Sequence, residues 1–147
     1  MSDRAITAMP AGFTPAVPFE DCFDARYGLE VTYEDVGGEG VVRGRVAVRD
    51  AITTRHGFVS GGVFASAAEA LASRGTALAV IPNGFAAMGQ GNDTTVLAQV
   101  SGGAVHAEAR VIARGDDAWL WTVETTDDDG APVAFSRITV AVRPFSV

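Results

Sequence analysis

Apolar and polar positions alternate along most of this chain, and one stretch breaks the alternation. Leu29, Val31 and Tyr33 fall on one side of a run ending at Asp35, with Glu30, Thr32 and Glu34 on the other. That period of two predicts a half-buried strand. Gly37-Gly38-Glu39-Gly40 reads as a turn, and 41–48 alternates again, Val42, Val46 and Val48 sharing a face with Gly44. Arg43 and Arg45 face the other way, so Glu30 and Glu34 are expected to pair with them on a solvated sheet face. Further strands are expected at 85–100, 105–113, 118–125 and 133–143. Ser101-Gly102-Gly103, 114–117 and Asp127-Asp128-Asp129-Gly130 act as turns between them.

The exception is 62–74, where Val-Phe-Ala-Ser-Ala-Ala-Glu-Ala-Leu-Ala-Ser follows glycine. This is the one long helix the pattern predicts. A short helix is expected at 18–26, with Pro18 at its start, and residues 1–17 read as a loose arm ahead of a single domain at 18–147. Two strands, a helix and then consecutive antiparallel strands make an α+β pattern. The small side chains of the helix let a sheet curl closely around it without overpacking. A curved antiparallel sheet wrapped around a central Ala-rich helix is the hotdog arrangement.

Composition narrows the partners. The formal charge of −7 repels a phosphate backbone, which argues against nucleic acid. All eleven basic residues are Arg, so no lysine is present for Schiff-base chemistry. Cys22 is the only cysteine and His56 and His106 the only histidines, too few for a metal site rich in either, and no cofactor is implied. A hydrophobic fraction of 48% is high for 147 residues and points to apolar surface buried against another copy. No stretch approaches eighteen apolar residues and the N-terminus lacks a compact apolar leader, so a cytoplasmic protein with no membrane span is expected.

The predicted helix carries one carboxylate. Steps of three and four place Gly62, Ala65, Ser66, Glu69 and Ser73 on one face. Glu69 therefore either faces a cavity, where lost hydration suits a general base or nucleophile, or marks the solvent side of the helix; the pattern leaves both open. Ser60 precedes Gly61 and Gly62 as an N-cap, and free N–H groups at a helix start can polarise a carbonyl or hold an oxyanion. Glu69 lies two turns along, about 10 Å from that end. Asp50, His56 and Ser60 are the residue types of a hydrolase triad, without the G-x-S-x-G elbow. Gly89-Gln90-Gly91 lacks the third glycine and following helix of a dinucleotide fingerprint. His106 reads as surface, and Trp119 and Trp121 as core or interface.

Ser60-Gly61-Gly62 with Glu69 nine residues after Ser60 resembles the H-G-G-x(6)-E signature of one branch of hotdog thioesterases. That branch holds 4-hydroxybenzoyl-CoA thioesterase, the PaaI-like enzymes and an enterobactin-pathway proofreading enzyme. The likeness runs from about Arg43 to Pro144. It includes Met88-Gly89-Gln90-Gly91-Asn92-Asp93-Thr94, Trp119-Leu120-Trp121 and Ala141-Val142-Arg143-Pro144. The resemblance implies Glu69 as catalytic nucleophile or base, Gly61 as the N–H donor to the thioester carbonyl, and Ser73 as a supporting hydroxyl. It also implies a homodimer as the minimal unit, with dimers paired into homotetramers.

Departures from that pattern are specific. Ser60 stands where the family has His, and Thr54 where it has a Gln that orients carbonyl or water. Asp116-Asp117 replaces a phosphate-binding Ser-Thr pair, and Ala98 and Ser146 replace arginines. The expected activity is hydrolysis of an acyl-CoA with an aryl or medium-sized acyl group, Gly62, Arg55, Arg74 and Arg114 being candidate substrate contacts. The alternatives are hydrolysis of acyl-carrier-protein thioesters and a non-catalytic hotdog module that binds an acyl or aromatic ligand.

Overall fold

A computed structural model describes residues 16–35 and 38–145 of the chain. The expected arm at 1–17 lies almost wholly outside the described residues, as does part of the turn at 37–40. Strands β1 (Leu29–Asp35) and β2 (Val41–Ala47) precede the long helix, and β3 (Phe85–Val96), β4 (Ala104–Arg114), β5 (Ala118–Thr126) and β6 (Pro132–Pro144) follow it. They form one sheet in the order β1-β2-β4-β5-β6-β3, every neighbouring pair antiparallel. The expected α+β hotdog arrangement is observed.

Helix α1 (Phe23–Tyr27) occupies part of the short helix expected at 18–26. Cys22 is extended and divides it from a 3-10 turn at Phe19–Asp21. Helix α2 spans Gly61–Val80, six residues beyond the expected end at 74. Gly75 and Thr76 are poor helix formers, and tertiary packing overrides them. The Trp121 ring lies against Gly75: a Cβ there would fall 2.8 Å from Cζ2 and 3.0 Å from Val42 Cγ2. Trp121 Nε1 donates to Thr76 Oγ1 at 2.9 Å, and that hydroxyl donates to the Ala72 carbonyl at 3.0 Å. Phe64, Leu71, Trp121 and Ile138 are fully buried between helix and sheet.

Of the four register shifts in the sheet, those in β1 and β3 decide which side chains meet the helix and its neighbours. A bulge between Val31 and Tyr33 breaks the expected charge ladder of β1. Glu30 still pairs with Arg45, at 3.4 Å. Tyr33 now lies opposite Arg43 with the guanidinium 4.8 Å from its ring centre, and Arg43 pairs instead with Glu108. Glu34 turns to Arg74 of α2.

The second bulge lies in β3, between Gly89 and Gly91. Gly89 is opposite buried Val140, but after the extra residue Asn92, Thr94 and Val96 are opposite Ile138, Ser136 and Ala134, all buried. Without it, Gly91 and Asp93 would face the helix.

Candidate active site

Glu69 is the only carboxylate of α2 and is exposed in the single chain. It shares the outer stripe of the helix with Gly62, Ser66 and Ser73, as the spacing predicts. β3 runs beside this stripe in the opposite sense. Gly89 lies against the Glu69 side chain, where a Cβ would be 2.7 Å from Cδ and 2.9 Å from Cγ. Asn92 Nδ2 donates to the Ala65 carbonyl at 2.9 Å and to Glu69 Oε2 at 3.3 Å. Val96 reaches the helix start, its Cγ2 lying 3.2 Å from the place of a Cβ on Gly61. Sequence reading missed Gly89 and Asn92 as neighbours of Glu69, because the bulge that turns Asn92 inward has no signature beyond the glycines around it.

The start of α2 is held from behind. Ser60 occupies the N-cap position with φ −63° and ψ 136°, and its side chain makes no cap hydrogen bond, against the sequence expectation. Its backbone N–H donates to the Ile52 carbonyl at 3.0 Å, and Val59 N–H donates to the Val100 carbonyl at 2.8 Å. The opening N–H groups of a helix have no intrahelical partner, so those of Gly61 and Gly62 sit at the positive end of a 20-residue helix. Thr54 opens the preceding tight turn: its N–H donates to the Phe58 carbonyl and its own carbonyl accepts from Gly57. Arg55 is exposed in that turn.

A cleft of about 510 Å³ opens beside the helix start. Phe23, Tyr27, Ile52 and Val63 give it apolar walls, and Ser60 and Ser66 contribute hydroxyls. Phe23 and Tyr27 meet edge to face at 5.2 Å. Burial and the Asp24 carboxylate, to which its hydroxyl donates at 2.9 Å, push the Tyr27 phenol well above its usual range.

The other candidates scatter. Ser73 is half-buried one turn past Glu69. Arg74 is engaged with Glu34, and Arg114 stacks on the Trp119 ring, 5.2 Å from its centre. Asp116 and Asp117 line a second cleft of about 430 Å³ with Phe85 and Trp119, near the C-terminal end of α2. No hydrogen bond among the described residues joins Asp50, His56 and Ser60. His106 lies on the outer sheet face bonded to Asp128 at 2.8 Å. No group of three His, Cys, Asp or Glu side chains among the described residues converges as metal ligands. No helix among them is long and apolar enough to cross a membrane.

No protein-family model matches the chain. It is 32% identical over 132 residues to the Mycobacterium tuberculosis protein named "Putative esterase Rv1847", covering 88% of this chain and 89% of that one. The solved structure of Rv1847 superposes with a TM-score of 0.78 at 28% identity, over 85% of this chain and 98% of its own. A variant of thioesterase PA1618 from Pseudomonas aeruginosa gives 0.81 at 25% identity, over 86% and 88% of the two chains. A variant of thioesterase SAV0944 from Staphylococcus aureus gives 0.77 at 22%, over 82% and 98%, a likeness of fold alone.

Proposed function

This chain belongs to the hotdog-fold thioesterase and esterase family, and we propose that it hydrolyses acyl thioesters with Glu69 as nucleophile or general base. The carrying observation is the setting of Glu69. It is the lone carboxylate of α2, packed against Gly89, with Oε2 bonded by Asn92 and Oε1 without a hydrogen-bond partner among the described residues. As nucleophile, Oε1 adds to the thioester carbon, the C–S bond breaks, and the thiolate leaves and takes a proton. Water then hydrolyses the acyl anhydride and regenerates the carboxylate. As base, Glu69 takes the proton of a water whose oxygen adds to the same carbon. In either route the Gly61 N–H stabilises the oxyanion, an effect of about 3–4 kcal/mol per donor, and Ser73 supports the carboxylate.

Eight residues of helix separate Gly61 from Glu69, about 12 Å of rise. One carbonyl cannot touch both, so the site needs two chains. The sheet edges indicate how they meet. β1 is a short edge carrying Glu30 and Glu34, whereas β3 is a twelve-residue edge paired only with β6 and exposing Met88, Val96 and, just beyond it, Leu97. A long open edge with Asp93 as its one charged residue invites a second strand. Two copies joined antiparallel through β3 make a homodimer in which each Glu69 approaches its partner's helix start. Pairing of dimers into homotetramers rests on the resemblance to the thioesterase branch.

The apolar cleft beside the helix start suits an aryl or medium-sized acyl group. CoA is the carrier the family resemblance favours, with Arg55 exposed in the turn before the helix and Arg26 lining the cleft at the helix start. The acidic lining of the second cleft favours a further reading, in which the carrier is an acyl carrier protein and no nucleotide phosphate has to be accommodated there. The test is hydrolysis of aryl, short and medium acyl thioesters on both carriers by wild type and Glu69→Gln. Turnover by the variant near the wild-type rate sinks the mechanism. A fully inactive wild type that melts at higher temperature with acyl-CoA would mark a binding module instead.

A further inference from the structure

Asn92 is bonded at both ends of its amide. The Ala65 carbonyl can only accept, so the Asn92 nitrogen must face it, at 2.9 Å. The amide oxygen then faces Thr94, whose Oγ1 donates to it at 2.8 Å. With its proton committed there, Thr94 accepts from Ser136 Oγ at 2.8 Å, directly across the β3–β6 pair. Ser136 is completely buried, so the chain of hydrogen bonds begins in the sheet interior, where its geometry is fixed by packing. It ends on the second Nδ2 proton, aimed at Glu69 Oε2 at 3.3 Å. The bulge at Gln90 is what brings Asn92 and Thr94 onto the helix-facing side.

We propose that Asn92, held by the relay Ser136–Thr94–Asn92, is a positioning residue that fixes the Glu69 carboxylate so that Oε1 alone is presented to the thioester. The proposal rests on the reading of Glu69 as the catalytic carboxylate. Glu69 is exposed in the single chain, and a glutamate on a helix has three rotatable bonds between backbone and carboxylate. An anchor on Oε2 removes most of that freedom and leaves Oε1, which lies against Gly89, without a hydrogen-bond partner among the described residues. Asn92 touches neither the reacting carbon nor the leaving sulfur in this arrangement; it acts through Glu69.

The experiment measures kcat and KM for one turned-over thioester, together with melting temperature, in the full chain bearing Asn92→Ala, Asn92→Asp, Thr94→Val, Thr94→Ser or Glu69→Gln. Asn92→Ala is expected to lower kcat about tenfold or more with KM within about twofold. Asn92→Asp should be worse, since a carboxylate there faces both the Ala65 carbonyl and Glu69. Thr94→Val frees the Asn92 amide to turn and lowers kcat, whereas Thr94→Ser keeps the hydroxyl and restores it. An inert Glu69→Gln with wild-type kcat in Asn92→Ala overturns the positioning role and leaves Glu69 standing. Normal turnover by Glu69→Gln overturns both. Loss of kcat only in step with melting temperature, with Thr94→Ser as poor as Thr94→Val, assigns the network to folding and also overturns the proposal.

Discussion

Gly89 and Glu69 are packed so closely that β3 has no room for a side chain opposite the carboxylate: a Cβ on Gly89 would lie 2.7 Å from Glu69 Cδ. Gly89→Ala therefore forces Glu69 to another rotamer. Because Glu69 is exposed, the swing costs little, and stability should stay within about 1 kcal/mol of wild type. The displaced carboxylate should lower turnover by about tenfold to a hundredfold. Paired activity and thermal melting measurements test this. A fully active Gly89→Ala would mean that the close approach serves packing only.

The contact between Thr76 and Trp121 makes the opposite prediction, stability without activity. Trp121 is completely buried and its Nε1 has the Thr76 hydroxyl as its hydrogen-bond acceptor. Thr76→Val keeps the shape and removes the acceptor, which should cost about 1–3 kcal/mol for the stranded donor. Thr76→Ser should retain most of the loss-free behaviour, since only a methyl is removed. Calorimetry separates the two, and activity below the transition should match wild type in both.

How much of this was legible in the chain differs by element. Alternation puts Val42 and Val46 on one face of β2 and Trp119 and Trp121 on one face of β5, and all four are buried. Steps of three and four along α2 put Glu69 with Gly62, Ser66 and Ser73, which is the observed outer stripe. What failed to show is where a strand slips. One extra residue reverses every facing beyond it, so the pattern sets Glu34 with Glu30 against Arg43 and Arg45 rather than against Arg74, and it cannot bring Asn92 to Glu69. The end of α2 was also hidden, because Gly75 and Thr76 are helical through contacts with Trp121, forty-five residues beyond Thr76. Local propensity does not carry that information.

Acid should act on the outer sheet face. The Arg43 hydrogen bond holds the Glu108 carboxyl below its usual range; burial pushes the other way, and the Arg110 hydrogen bond and the charges of both arginines add to the lowering. A depressed carboxyl contributes stability above the unfolded value of about 4.3 and loses it as pH falls through the folded one. The Glu108 side chain is 31% exposed, so the contribution is under about 1 kcal/mol. Melting temperature from pH 6 down to pH 3 should fall less steeply in Glu108→Gln than in wild type. Identical slopes would show that the pairs with Arg43 and Arg110 carry no net stability.

The strongest test of a site shared between two chains uses two inactive proteins. Gly61 is the first residue of α2, where proline is tolerated because its missing N–H has no intrahelical acceptor. Ser60 before it already has φ −63° and ψ 136°, the extended backbone that a following proline requires. Val96 has to yield slightly, its Cγ2 being 3.2 Å from the new Cβ. Gly61→Pro should therefore fold, remove the oxyanion donor, and lower turnover on the order of 100–1,000-fold. Glu69→Gln should be inactive through the other half of the site. If each site takes Gly61 from one chain and Glu69 from its partner, a mixed dimer places both defects in one site and leaves the other intact. An equal mixture after subunit exchange, with half its dimers mixed, should then recover about a quarter of wild-type activity. If exchange is verified by mass and the mixture stays inactive, Gly61 and Glu69 do not meet across an interface, and the two-chain site is wrong.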